Sequence, residues 1–151
     1  MPGPSAWMLG DRLHLQHGPI DLIIGADGPG RKAAFTAAVR RFQTVLTRLC
    51  EELPLLRTQL LPGDPLPAGP VARRMDAAVR PHAGVFVTRM AAVAGAVADE
   101  VLTAMTNAAD LPRAYVNNGG DIALHLAPGQ RFTAAMAGLD NHPLGRIEIC
   151  A

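Results

Sequence analysis

Aromatic residues are scarce in this chain: one tryptophan, one tyrosine and four phenylalanines amount to 4% of 151 residues. That is too few to build the stacking platforms on which single-stranded nucleic acid is held. An excess of one charge is also missing, because 14 Lys and Arg stand against 13 Asp and Glu for a formal net charge of +1. Such a balance gives no electrostatic case for nucleic acid or for an acidic membrane surface. Lys32 is the sole lysine, so arginine carries nearly all the positive charge. Cysteine is limited to Cys50 and Cys150, which have neither the clustered Cys/His spacing of a zinc site nor the density of a secreted disulfide scaffold. Both read as buried thiols. No stretch approaches the ~20 apolar residues of a membrane span, and the N-terminal MPGPSAWMLGDRLHLQHG has no charged region followed by an apolar run. A reduced, cytoplasmic protein that meets neither membrane nor nucleic acid is the expectation. His14, His17, His82, His125 and His142 are scattered, with no nucleophile or metal ligand at motif spacing.

What is present is an ordinary globular composition, 49% hydrophobic and 18% charged. The length fits one domain over residues 1–151, able to bury about two thirds of its unfolded surface. Arg12 to His17 and Ile20 to Ala26 read as short strands around Gly18-Pro19, the second nearly continuous in apolar residues. A helix follows from about Arg31 to Glu52, where Phe35, Ala38, Val39, Phe42, Val45, Leu46 and Leu49 recur at steps of three and four. Arg40, Arg41, Thr44, Thr47 and Arg48 lie off that stripe as a solvated basic face. The Pro/Gly-rich stretch 60–70 must be a surface crossing. A short helix over Val71 to Arg80 buries Val71, Met75 and Val79 and stops at Pro81.

The segment Thr88 to Leu126 is the most informative. Thr88 is placed to cap a helix over about Arg89 to Asn107, with Met90, Val93, Ala94, Val97, Val101 and Met105 on its core side. The small residues Ala91, Ala92, Ala94, Gly95, Ala96 and Ala98 let a backbone or a flat ligand come near; packing against a sheet explains them equally. Arg113 to Val116 and Asp121 to Leu126 are hairpin arms around Asn117-Asn118-Gly119-Gly120. The glycine pair tolerates positive φ and exposes peptide N–H groups, and Asn117, Asn118 and Asp121 add polar side chains at the same corner. A tight hairpin turn accounts for the same residues without a ligand. Phe132 to Leu139 and Arg146 to Cys150 complete the strand candidates, the last with Ile147 and Ile149 on one face and an unfilled place beside it.

The order of a helix, an NNGGDI hairpin, a GLDNHP strand and turn and an RIEIC strand resembles the ApbE superfamily of FAD:protein FMN transferases. The fragments LLPGDPLPAGPVARRM, AGVFVTRMAAVAGAVADEVL and VNNGGDIAL look most like a short, non-exported branch of it, over roughly Ile20 to Ala151. The resemblance implies an α+β fold of the T-fold type, an antiparallel sheet with helices on one face, consistent with the pattern above. It implies a flavin such as FAD or FMN, or another nucleotide-like small molecule, bound by Thr88, Gly95, Asn117, Asn118, Gly119, Gly120 and Asp121, and magnesium as the metal. The family's helix motif falls on Thr88 to Asp99. Gly95 and Asp99 match it, the leading aspartate is Thr88 here, and the lysine is Ala94, so two polar nucleotide contacts are lost or weakened. The alanine whose backbone carbonyl meets magnesium falls on Ala91.

Relatives continue into a Thr-Ser-Gly segment and an Asp/Thr-bearing helix that completes the metal site, and neither appears in these 151 residues. Phosphoryl-type transfer draws much of its rate from a divalent ion. The expectation is therefore a flavin- or nucleotide-binding protein that is not by itself a competent transferase. Two alternatives stay open. One is a structural or assembly module, its fold incomplete without a C-terminal half, its sheet filled by a second chain or another copy in a homo-oligomer. The other is a self-processed enzyme cut after Ala151, where relatives carry threonine, since a threonine hydroxyl can attack the preceding carbonyl.

Overall fold

In the computed structural model, residues 2–151 are described. Five strands form one antiparallel sheet in simple chain order: β1 (Ser5–Leu9), β2 (Arg12–His17), β3 (Ile20–Ala26), β4 (Arg113–Asn118) and β5 (Asp121–Leu126). Alternation decides which side chains face the core. Leu13 and Leu15 of β2, Leu22 and Ile24 of β3, Ala114 and Val116 of β4 and Ala123 of β5 are buried on one face. That face is covered by helices, as expected for this fold class.

The helices are α1 (Arg31–Phe42), α2 (Val45–Glu51), α3 (Leu53–Leu56), α4 (Pro70–Val79) and α5 (Val93–Ala108). The sequence periodicity predicts one helix over Arg31 to Glu52, and the structure corrects this to α1 and α2 with a break at Gln43-Thr44. Thr44 adopts φ −112° and ψ −4°, off helical geometry. Its hydroxyl accepts from Arg41 Nη1 at 3.1 Å, a local partner that competes with continuing the helix. The apolar stripe outlives the break: Ala38, Phe42, Val45, Leu46 and Leu49 are all buried, because the two pieces bend round one core.

Strand β1 carries no regular apolar alternation against a core, and no strand is anticipated there from sequence. It forms by pairing with β2 in the register Ser5↔Gln16 to Leu9↔Arg12. The expected helix 71–80 is found one residue earlier, starting at Pro70, whose absent N–H costs nothing in a first turn. The Pro/Gly-rich crossing 60–70 is ordered. Leu60 is fully buried, its N–H donates to the Val87 carbonyl at 2.8 Å, and Gln59 bridges Thr88.

The two cysteines are corrected outright: Cys50 and Cys150 are free and exposed, not buried. Cys50 lies off the stripe of α2, and Cys150 sits in a hairpin that has no core of its own. That hairpin is formed by β6 (Arg131–Ala137) and β7 (Pro143–Cys150), a separate two-stranded sheet. Its register, Phe132↔Ile149, Ala134↔Ile147 and Met136↔Gly145, gathers one apolar face, while Thr133↔Glu148 and Ala135↔Arg146 make the other side polar.

Candidate functional site

The start of α5 and the tip of the β4–β5 hairpin come together, as the Thr88–Leu126 segment predicts. Asn118 and Asp121 are the closing pair of the hairpin, joined by Gly119 and Gly120 at φ 62° and 108°. Both glycines lie where a side chain is strained, and this is the conformation a two-residue hairpin turn demands. Of the two loop N–H groups expected to be on offer, that of Gly120 is already taken, donating to Asn117 Oδ1 at 2.9 Å.

Sheet alternation divides the polar residues of the corner. Asn118 and Asp121 share the helix-covered side with Val116 and Ala123, while Asn117 lies on the opposite side with Tyr115. Asn118 is buried, and its Nδ2 donates to the Ala94 carbonyl at 3.1 Å. This bond ties the turn to the first turn of α5. Asp121 stays exposed.

The helix begins differently from the expectation of a single element capped by Thr88. Residues Arg89–Ala92 form a 3-10 turn, and α5 proper starts at Val93. Thr88 precedes the turn with extended backbone, φ −114° and ψ 159°, and its side chain makes no capping bond. The reason is Arg89. Its side chain is fully buried and runs back under the turn, donating from Nε to Asp76 Oδ1 at 2.7 Å and from Nη2 to the Pro65 carbonyl at 2.9 Å. Asp76 in α4 also receives Arg80 Nε at 2.7 Å. The hydrogen bond from Arg80, with that from Arg89, overcomes the cost of burial and holds the Asp76 carboxyl below its ordinary range. Neither Asp76 nor Arg89 is anticipated as special from sequence; an Arg in an apolar, alanine-rich helix start is the signal that was available.

Gly95 is half-buried, and a Cβ built on it would meet no atom within 4 Å. The helix surface there is open, so the glycine is not required by packing against the sheet. Ala91, four residues earlier, is exposed. Among the described residues no group of three or more His, Cys, Asp or Glu side chains comes together that could hold a metal ion. The Ala91 carbonyl therefore has no carboxylate set with which to share magnesium, and the residues present do not fit that ion.

Beside Asn118 lies a cavity of about 440 Å³. Its walls are Ile20 at the start of β3, Leu46, Leu49 and Cys50 of α2, Met90 of the 3-10 turn, and Val93, Ala94 and Val97 at the start of α5. Asn118 supplies the one polar side chain of that wall. Its size and apolar lining suit the flat part of a small molecule. Asn118 is thus the predicted residue that the structure puts on the cavity wall. Gly95, Gly119, Gly120 and Asp121 border the same corner without lining it, and Thr88 and Ala91 stand on the turn leading into α5.

On the far flank of α5, Glu100 joins Arg41 of α1 and Arg74 of α4 at 2.8 Å each. Burial pushes the Glu100 carboxyl up, but hydrogen bonds from Arg74 and Arg41 outweigh it and leave the group below its ordinary value. Arg41, expected on a solvated face, is thereby a fastener between helices. No described helix is long and apolar enough to cross a membrane.

The chain belongs to the bacterial family described as AbpE bacteria, whose model matches residues 5–151. No curated protein matches the chain.

Proposed function

We propose that this protein is an ApbE-like binder of a flavin or a similar nucleotide-like molecule, cytoplasmic, with its ligand held where the Gly119-Gly120 turn meets the start of α5. The observation that carries the reading is the bond from Asn118 to the Ala94 carbonyl, which sets a glycine turn, an open helical glycine and an apolar cavity side by side. In this reading the heterocycle enters between α2 and α5, against Val93, Ala94 and Val97. Asn118, held in place by Ala94, offers its remaining amide capacity to a polar edge of the ring. The sugar or phosphate portion runs outward past Gly95 towards the turn, where the Gly119 backbone and the exposed Asp121 carboxylate meet it. A carboxylate there suits ribityl or ribose hydroxyls, which can donate to it, better than it suits a bare phosphate.

The activity proposed is binding; moving a phosphoryl-linked group would in addition need charge neutralised on the leaving oxygens. The test is a titration of flavin fluorescence with FMN and FAD, alongside thermal unfolding in their presence, with ADP as a ligand that lacks the flavin ring. Saturable binding that is lost when Ala94→Met fills the cavity is the expected result. Unchanged fluorescence and an unchanged midpoint at saturating flavin would refute it.

A further inference from the structure

Strand β1 and helix α1 leave a trough between them. β1 is an edge of the sheet, and Met8, opposite the buried Leu13 in the register, faces the same side as the helices. Helix α1 packs over β2 and β3 and stops short of β1, so Met8 stays 50% exposed. The space this leaves is about 500 Å³, lined by Met8 and by Arg31, Lys32, Phe35, Thr36, Val39 and Arg40 of α1.

Helical spacing sorts the α1 side chains into two rows. Arg31, Phe35 and Val39 recur every four residues, and so do Lys32, Thr36 and Arg40 one position further round. The first row is half-buried, and its Phe35 and Val39 make an apolar floor with Met8. The second row is an exposed rim, whose cations Lys32 and Arg40 are set about 12 Å apart along the helix axis.

The charge of the trough is unbalanced. No acidic side chain lines it, and α1 contains none. Among the described residues Arg31, Lys32 and Arg40 have no carboxylate partner, whereas Arg41, next along the helix, is tied to Glu100. Arg31 is positioned without being neutralised: it donates to the Asp11 carbonyl and lies 5.2 Å over the Phe35 ring. Arg31 and Lys32 also occupy the first turn of α1, which has neither a side-chain cap nor an acidic residue. Cations are disfavoured at that end of a helix, where the dipole is already positive, and an anion placed beside them relieves the conflict.

We propose that this trough binds a small anionic amphiphile, a carboxylate or phosphate head on an unbranched apolar chain. The head lies between Arg31 and Lys32, the chain lies over Phe35, Val39 and Met8, and Arg40 adds potential of the same sign at the far end. The floor is one helical row against one side chain of an edge strand, which suits a single chain better than a fused ring system. A volume of about 500 Å³ is that of a small-molecule site, and a net charge of +1 gives an acidic membrane little to attract. The trough shares no residue with the cavity beside Asn118, so the two sites are separate.

The test is calorimetric titration with sodium decanoate and with decyl phosphate, both below their micelle concentrations. Decyltrimethylammonium serves as a cation of equal chain length and acetate as an anion without the chain. One-to-one binding of the two anionic amphiphiles alone is expected, and the tighter of them identifies the head group. Lys32 is the sole lysine, so bound ligand should also slow reductive methylation of its amine, read by peptide mass. Lys32→Glu, which puts an acid in the first turn and leaves the fold intact by circular dichroism, should bind at least roughly tenfold more weakly. Arg146→Glu, an exposed cation of β7, and Ala94→Met, which fills the flavin cavity, should bind as wild type does. Absence of saturable binding at millimolar ligand overturns the proposal, as does equal binding of decyltrimethylammonium or full affinity in Lys32→Glu. Binding lost in Ala94→Met would put the amphiphile in the flavin cavity instead. Binding to phosphatidylglycerol vesicles without binding of decanoate or decyl phosphate would make the trough a membrane contact, and the proposal would fall.

Discussion

Replacing Gly95 by alanine separates two uses of a small residue that look alike in sequence. Gly95 is the third residue of α5, preceded by a 3-10 turn, and its Cβ would point into open space. Nothing in the folded state opposes a methyl group there. Removing the excess freedom of glycine from the unfolded chain should therefore stabilise the protein by about 0.5–1 kcal/mol, which for a chain of this size raises the unfolding midpoint by about 2–4 °C at most. Thermal unfolding followed by circular dichroism measures it. Gly95→Leu extends four carbons into the same space and should keep most of that gain, while weakening flavin binding severalfold by obstructing the path from the cavity to the turn. A destabilised Gly95→Ala protein would mean that the methyl meets other atoms, and the open helix face would be disproved. A stabilised Gly95→Leu protein with undiminished flavin affinity would remove Gly95 from the site.

Arg89→Leu should cost about 3–5 kcal/mol in a denaturant titration, because Asp76 and the Pro65 carbonyl lose a buried partner; a cost below 1 kcal/mol would show the network to be idle. Asp76 and Glu100 have folded-state pKa values held below their unfolded ones, so their contribution is present above the ordinary carboxylate range of about 4 and is lost as pH falls through the lower folded values. Unfolding midpoints should accordingly drop below about pH 4 more steeply in wild type than in Asp76→Asn, and parallel profiles would contradict this. Gly25→Ala should destabilise by about 1–3 kcal/mol through overlap with Tyr115, and Tyr115→Ala in the same chain should recover part of the loss; additive costs would mean that the two do not collide. Asn118→Ala frees the Ala94 carbonyl and should cost about 1 kcal/mol in stability with a larger proportional loss of flavin affinity.

Local pattern was sufficient for the strands at 12–17 and 20–26, for the short helix that begins at Pro70, and for the turn at Gly119-Gly120, because alternation, helical spacing and the demand for positive φ act within a few residues. The α+β class follows from the same signals. Three features depended on contacts distant in sequence. β1 exists only because β2 offers it an edge. The long helix divides at Gln43-Thr44, where the Thr44 hydroxyl accepts from an Arg41 that is also held by Glu100, 59 residues away. Thr88 does not cap its helix because Arg89 must reach Asp76 and the 60–70 crossing. The candidate site divides in the same manner: the residue types at Asn117 to Asp121 and the small residues from Ala91 to Ala98 were readable as a possible corner for a ligand. Which asparagine faces the helix, which N–H is already used, and the presence of a cavity beside Asn118 were decided by sheet register and by helix α2, whose wall residues carry no motif. Sequence determined the elements and the turn chemistry, since those energies are local. Tertiary structure decided the burial of Asp76 with Arg89, the exposure of both cysteines and that of Ile122 and Leu124 on β5, since each depends on what the rest of the chain leaves covered or uncovered.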